Sequence, residues 1–147
     1  MVDLTVDTTV LVFASTGSDA WYSTDSITTL DLMLSRGVAL SWNEQIGAEY
    51  DAKLTADAYA KQWFRRMVSN NLVTPVAGRP LPSDKRRLLE KARIHKEDRK
   101  FVLTAAASVS RTLVATDAHV TGTVAAACCH KHFGVTIWFP SYSARNL

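Results

Sequence analysis

The chain has 147 residues, of which 47% are hydrophobic and 21% charged, which is typical of one soluble globular domain with its own core. No apolar run is long enough to cross a bilayer, no basic stretch followed by an apolar run opens the chain, and the two cysteines are adjacent. These features argue against a membrane protein, a disulfide scaffold and a cysteine-ligated zinc protein, and we expect a cytoplasmic protein.

Acidic and basic residues are unevenly distributed along the chain. Residues 1–57 contain nine acids and two basic residues, whereas residues 58–147 contain five acids and fifteen basic residues. This division indicates an acidic site beside a basic surface that could follow phosphates. Solvated helix faces are the alternative explanation.

In chain order, short β-rich apolar runs alternate with helical patterns. The first half predicts strand 2–6, a helix beginning in 8–15, a break at 17–19, a helix from Ser23 or Thr24 to about Leu34, strand 38–41, and helices 43–54 and 56–70. The second half predicts strand 72–76, loop 77–82, helices 83–93 and 97–108, strand 112–116, helix 118–130, strand 135–139 and a tail 140–147. Pro75 places the third strand at an edge or an end. Strands separated by helix-length segments predict right-handed βαβ units and a mainly parallel sheet.

Two aspartates directly follow predicted strands. Asp7 follows the first apolar run, and Asp117 follows residues 113–116. In an open parallel sheet, ligands bind beyond the carboxyl ends of the strands, so both carboxylates are expected in one crevice if the strands are neighbours. The alternative for each is a helix N-cap.

Asp98 lies on the same helical stripe as Phe101, Val102 and Ala105. Burial of a charged carboxylate costs roughly several kcal/mol of folding free energy unless the carboxylate is paired or bound to metal. Asp98 is therefore a candidate ligand. The alternative is that it occupies the first turn of its helix and complements the helix dipole.

The segment 41–54 offers two glutamates. Glu49 borders the core, whereas Glu44 points to the other side; the residues that share the face of Glu49 are Trp42, Ile46, Tyr50 and Lys53. Glu49 is therefore the better candidate ligand, and Glu44 is the reserve.

The order of these acids resembles the PIN-domain family of metal-dependent ribonucleases. Asp7 followed by Thr9 is similar to its opening motif, and the segment 41–54 with Glu49 is similar to its second acidic motif. Residues 97–106, in which Asp98 heads an alanine-rich helix, look like its third motif. The strand that ends in Asp117 resembles its fourth, and residues 133–140 resemble its last strand and the proline after it.

The resemblance covers nearly the whole chain and implies a single PIN-like α/β domain over residues 1–147. It implies a mainly parallel sheet of about five strands in the order 3-2-1-4-5, flanked by helices. It also implies cleavage of RNA phosphodiester bonds that depends on Mg²⁺ or Mn²⁺. Many members are toxins of toxin–antitoxin pairs, often homodimers held inactive by an antitoxin, and others process RNA, so the fold does not determine the biology.

With this resemblance we expect one or two divalent ions, because oxygen ligands suit Mg²⁺ and Mn²⁺. The expected ligands and catalytic residues are Asp7, Glu49, Asp98 and Asp117, with Thr9 and Thr116 as hydrogen-bond donors that orient them. The metal would orient the scissile phosphate and activate a water molecule. We expect RNA to be gripped by a basic stretch that leads to Asp98: Lys85, Arg86, Arg87, Lys91, Arg93, Lys96, Arg99 and Lys100. A solvated or antitoxin-facing helix is the alternative for that stretch.

Two other functions fit parts of the pattern. A phosphatase of the haloacid dehalogenase type also begins with an aspartate that ends the first strand, but it needs a second aspartate where Thr9 stands. A PIN-like scaffold that binds RNA or protein without cutting would not need all four acids. A metal titration separates the scaffold from the nuclease.

Overall fold

A computed structural model describes residues 1–16, 20–78, 80–116 and 118–147. Within these residues, five short strands form one parallel sheet in the order β3-β2-β1-β4-β5. The strands are β1 Asp3–Val6, β2 Ala39–Trp42, β3 Val73–Pro75, β4 Thr112–Val114 and β5 Thr136–Trp138. The predicted strand order is confirmed, and Pro75 lies on an edge strand as predicted.

Helices connect and flank the strands. They are α1 Thr8–Thr16, α2 Ala20–Arg36, α3 Glu44–Lys53, α4 Tyr59–Ser69, α5 Ser83–Lys91, α6 Arg99–Ala107, α7 Ala118–Thr121, α8 Thr123–Phe133 and α9 Pro140–Asn146, with a 3₁₀ turn Lys96–Asp98 directly before α6. Among the described residues, none of these helices has the length and apolar character needed to cross a bilayer.

Local chemistry explains several of these boundaries. The side chain of Asn43 accepts a hydrogen bond of 3.1 Å from the backbone N–H of Ile46 and so caps α3. Gly134 adopts the left-handed conformation (φ 67°) that closes α8. Pro140 occupies the first turn of α9, where its missing N–H costs nothing.

Three predicted boundaries are wrong. The predicted helix 118–130 is two helices, because the chain leaves helical geometry at Gly122, which then forms the N-cap of α8. The predicted tail 140–147 is helix α9, which packs on α2. Helix α2 already includes Ala20, before the predicted start at Ser23 or Thr24. The predicted break at 17–19 lies outside the described residues.

The core lies between the sheet and its helices. Leu4, Leu40 and Leu113, on three adjacent strands, have no exposed surface. Helix α6 packs against β1, β2 and β4 and contacts α3. This packing brings the beginning of α6 and the face of α3 toward the end of β1, where the first predicted ligand lies.

Candidate metal centre

Three of the four predicted ligands line one cleft. Asp7, Glu49 and Asp98 lie around a cavity of about 260 Å³, together with Thr8, Thr9, Val12, Phe13, Lys53 and Glu97. Asp7 comes from the end of β1, Glu49 from α3, and Asp98 from the 3₁₀ turn before α6. Three acids that are distant in sequence therefore line one cleft beside the carboxyl end of β1.

Asp7 lies directly after β1, beside the last residue of the neighbouring strand β4. Its backbone N–H donates a hydrogen bond of 2.9 Å to the carbonyl oxygen of Val114, so the chain leaves β1 directly beside the end of β4. Its side chain is 3% exposed, and Oδ2 accepts a hydrogen bond of 2.9 Å from Oγ1 of Thr9. Thr9 therefore orients this carboxylate, as the sequence predicts.

Both carboxylate oxygens of Glu49 have partners. Oε1 lies 2.7 Å from the ammonium Nζ of Lys100, and Oε2 accepts a short hydrogen bond from Oγ1 of Thr8. The sequence places Lys100 among the residues that grip RNA, but the structure places its charge on a carboxylate of the cleft. Neither contact follows from helical periodicity, because each joins elements that are distant in sequence.

Asp98 is buried, with 9% of its surface exposed. It ends the 3₁₀ turn and occupies the N-cap position of α6, whose residues Phe101, Val102 and Ala105 are buried as predicted. Both interpretations of Asp98 therefore describe part of its setting. It lies at the N-terminus of a helix, where a negative charge is favourable, and it also lines the cleft.

Tyr50 lies beneath the acids and ties α3 to β1. Its hydroxyl donates a hydrogen bond to the carbonyl oxygen of Val6, the last residue of β1. Burial, and then the negative charges of Asp7 and Glu49, raise the pKa of Tyr50 well above its ordinary value. The protonated hydroxyl of Tyr50 is therefore a donor that holds α3, the helix that carries Glu49, against the end of β1.

The two glutamates of the second motif lie in different places. Glu44 lines a separate depression of about 260 Å³ between α3 and α4, together with Trp42, Asp51 and Lys61. Glu49 faces the acidic cleft. The geometry therefore favours Glu49 over Glu44 as a metal ligand.

Glu97 and Lys53 also line the cleft, although neither of them was predicted from the sequence to have a role in the site. Glu97 is exposed and immediately precedes Asp98, inside the 3₁₀ turn that the helical prediction did not anticipate. Lys53 lies four residues after Glu49 on α3, on the helix face that the sequence predicts for both residues.

The fourth predicted ligand, Asp117, lies outside the described residues. Thr116, its predicted partner, is half-buried. Just before it, Ala115 prolongs the pairing of β4, because its N–H donates a hydrogen bond of 3.0 Å to the carbonyl oxygen of Trp138.

The predicted RNA-gripping residues differ in their surroundings. Lys85 donates a hydrogen bond of 2.9 Å to the carbonyl oxygen of His132, and its ammonium lies 5.6 Å from the ring centroid of Phe133. Arg99 donates to the carbonyl oxygen of Ile94 and lies 4.0 Å from Glu90. The side chains that lie exposed on α5 and the segment after it are Arg86, Arg87, Lys91, Arg93 and Lys96.

The donor atoms of the cleft fit a hard divalent cation. Four carboxylates and two threonine hydroxyls line it, and such oxygen donors are the ligands that Mg²⁺ and Mn²⁺ prefer. Among the residues that the structure describes, no three acidic, histidine or cysteine side chains lie close enough together to hold a metal ion as they stand.

Comparison of the chain with protein-family models, with curated proteins and with solved structures finds no match.

Proposed function

We propose that this protein is an endoribonuclease that depends on Mg²⁺ or Mn²⁺ and holds the metal with Asp7, Glu49, Asp98 and Asp117. One observation carries the proposal. Carboxylates at positions 7, 49 and 98, from three different elements, line a single cleft beside the carboxyl end of β1. Burying several like charges together is unfavourable unless cations offset them, so such an arrangement favours a cation-binding role.

A divalent ion bound there would neutralise charge on a scissile phosphate and lower the pKa of a coordinated water molecule. The residues of the chain hold the ligands in place. Thr9 donates to Asp7, and Thr8 donates to Glu49. Donors of this kind orient carboxylates and raise metal affinity. Thr116, near the end of β4, is proposed to do the same for Asp117.

The exposed cations of α5 and the segment after it supply the proposed contact with RNA phosphates. Arg86, Arg87, Lys91, Arg93 and Lys96 precede Asp98 along the chain, so RNA bound along them would approach the cleft. A cognate antitoxin and a homodimer are further proposed partners, and both rest on the family resemblance alone. A cytoplasmic location is also proposed, and it rests on the composition and cysteine content of the sequence.

A non-catalytic scaffold is a second candidate, and one contact favours it. The ammonium of Lys100 already neutralises Glu49, so the cleft has one counter-charge without any metal. A scaffold would show no rise in melting temperature with Mn²⁺, whereas a metal-dependent nuclease would show a saturable rise.

The direct test is cleavage of a fluorescent single-stranded RNA in Mn²⁺ and in chelator. Asp98→Asn keeps the shape of the side chain but removes its charge, so cleavage should fall by at least about a hundredfold while the melting profile stays cooperative. Asp57→Asn is the matched control, because Asp57 is an exposed acid that lies outside the cleft lining and outside α5. Full cleavage by a folded Asp98→Asn protein would refute the proposal.

A further inference from the structure

Lys100 forms an ion pair with Glu49, one of the proposed metal ligands. Its Nζ lies 2.7 Å from Oε1 of Glu49, and the two side chains are 25% and 15% exposed. Oε2 of the same carboxylate accepts from Thr8, so the whole carboxylate is engaged. An ion pair of this partial burial is screened less by salt than a pair on the open surface.

The position of Lys100 is set by a rigid element. It is the second residue of α6, and its carbonyl oxygen accepts a hydrogen bond of 2.7 Å from Oγ1 of Thr104. Its ammonium lies 5.8 Å from the ring centroid of Phe101. The backbone is therefore fixed, while the lysine side chain, with its flexible four-carbon stem, can move its ammonium without moving the helix.

An ammonium and a divalent cation compete for the same carboxylate oxygen, because each is held there mainly by its positive charge. Mg²⁺ binds oxygen at about 2.1 Å, and two cations so close together repel strongly. We propose that the Lys100 ammonium is the counter-charge of Glu49 in the metal-free protein and is displaced from this carboxylate when the metal binds. This inference rests on the proposed metal site at Glu49. Lys100 is then a positioning residue, which determines the metal concentration at which the site is half saturated.

The test compares two lysines near the acids. Lys53 lines the cleft, and Lys100 pairs with Glu49, so removal of Lys53 subtracts the same charge without removing the ion pair between Lys100 and Glu49. Lys100→Met and Lys53→Met both keep an aliphatic stem. For wild type and both variants, melting temperature is measured in chelator and across a Mn²⁺ titration, and calorimetric titration gives the half-saturating Mn²⁺ concentration.

Displacement predicts a specific pattern. Lys100→Met should lower the half-saturating Mn²⁺ concentration by about tenfold, and Lys53→Met by about twofold or less, because only the first removes a competing cation from the ligand itself. In chelator, Lys100→Met should melt below wild type, and saturating Mn²⁺ should narrow that difference. A purely structural lysine would lower the melting temperature equally with and without metal.

Failure of this inference is distinguishable from failure of the proposed function. Suppose that wild type binds Mn²⁺ and Asp98→Asn does not, but both lysine variants have the half-saturating Mn²⁺ concentration of wild type. The displacement of Lys100 is then wrong, and the proposed metal site is still supported. If neither wild type nor either lysine variant responds to Mn²⁺, both are overturned. Should Lys100→Met fold poorly, Lys100→Gln in the same titration provides the comparison.

Discussion

Thr9 Oγ1 donates a hydrogen bond of 2.9 Å to Oδ2 of Asp7, which links the first turn of α1 to the carboxylate that directly follows β1. If Asp7 is a metal ligand, this donor fixes which oxygen faces the cleft. Thr9→Val is nearly isosteric but has no donor, so the half-saturating Mn²⁺ concentration should rise by about tenfold, as measured by calorimetric titration.

Thr9→Ser is the control for that prediction, because it restores the hydroxyl in a smaller side chain. It should bind Mn²⁺ close to wild type. Equal affinity in Thr9→Val and wild type would show that the hydrogen bond does not matter for the ion.

The sequence predicts best the position of those site residues that are identified by their immediate neighbours in the chain. The run that ends at Asp7 reads as a strand, and a side chain that follows a parallel strand lies at its carboxyl edge wherever that strand sits in the sheet. Asp98 was found from its helical stripe. The strand order came only from the family resemblance, since periodicity does not determine which strands are neighbours.

Contacts between distant elements could not be predicted. The pairing of Lys100 with Glu49 depends on how α6 packs against α3, and the local sequence pattern of either helix does not predict that packing. Helix α9 was not predicted for the same reason. Its residues have no strong apolar stripe, and the helix is fixed by contacts such as the 2.7 Å hydrogen bond between Ser143 and Thr29 of α2.

The choice between the two glutamates of α3 gives a second prediction. Glu49 faces the acidic cleft and Glu44 lines another depression, although both are on one helix. Glu49→Gln should abolish RNA cleavage and raise the half-saturating Mn²⁺ concentration by at least about tenfold, whereas Glu44→Gln should leave both near wild type. The reverse result would move the ligand to Glu44 and require a different arrangement of the cleft.

The exposed arginines of α5 give a third prediction, on substrate binding. If Arg86 and Arg87 contact RNA phosphates, replacing both with glutamine should lower the salt slope of single-stranded RNA binding by about 1.4, at about 0.7 for each contact. The measurement is the dissociation constant at a series of salt concentrations. Glutamine at Arg65 and Arg66, two exposed residues of α4, removes the same charge elsewhere and should leave the slope unchanged. Equal slopes for both double variants would favour a solvated or partner-facing helix.

A fourth prediction concerns stability at the opposite end of β1. Asp3 is 1% exposed, and its carboxylate accepts from the N–H groups of Ser110 at 2.8 Å and Val109 at 3.1 Å and from Oγ of Ser41 at 3.2 Å. It therefore holds the turn before β4 against β1 and β2. Asp3→Asn replaces an acceptor oxygen with a donor, and we expect a loss of about 1–3 kcal/mol in the free energy of unfolding by urea.

Asp84→Asn on the exposed face of α5 serves as the stability control for Asp3→Asn, and its cost should stay within about 0.5 kcal/mol. An Asp3→Asn protein with the urea midpoint of the control would show that the three hydrogen bonds contribute little.

Gly47 gives the last prediction, because α3 passes the Trp42 indole so closely that only glycine fits. A Cβ at position 47 would lie 2.7 Å from Cζ2, 2.8 Å from Nε1 and 2.9 Å from Cε2 of Trp42. Helix propensity alone would make Gly47→Ala stabilising by about 1 kcal/mol. The contact with a rigid, partly buried ring should reverse that sign and destabilise the protein by about 1–3 kcal/mol in urea unfolding.

Two further variants separate the steric effect from other causes. Gly78→Ala has no atom within 4 Å of its new Cβ, so it should be close to neutral. Trp42→Leu removes the ring, so adding Gly47→Ala to it should cost less than Gly47→Ala costs in wild type, which a double-mutant cycle measures as a coupling energy. Additive costs would mean that the indole moves aside. The position of Glu49, two residues further along α3, would then not depend on the packing of Gly47 against Trp42.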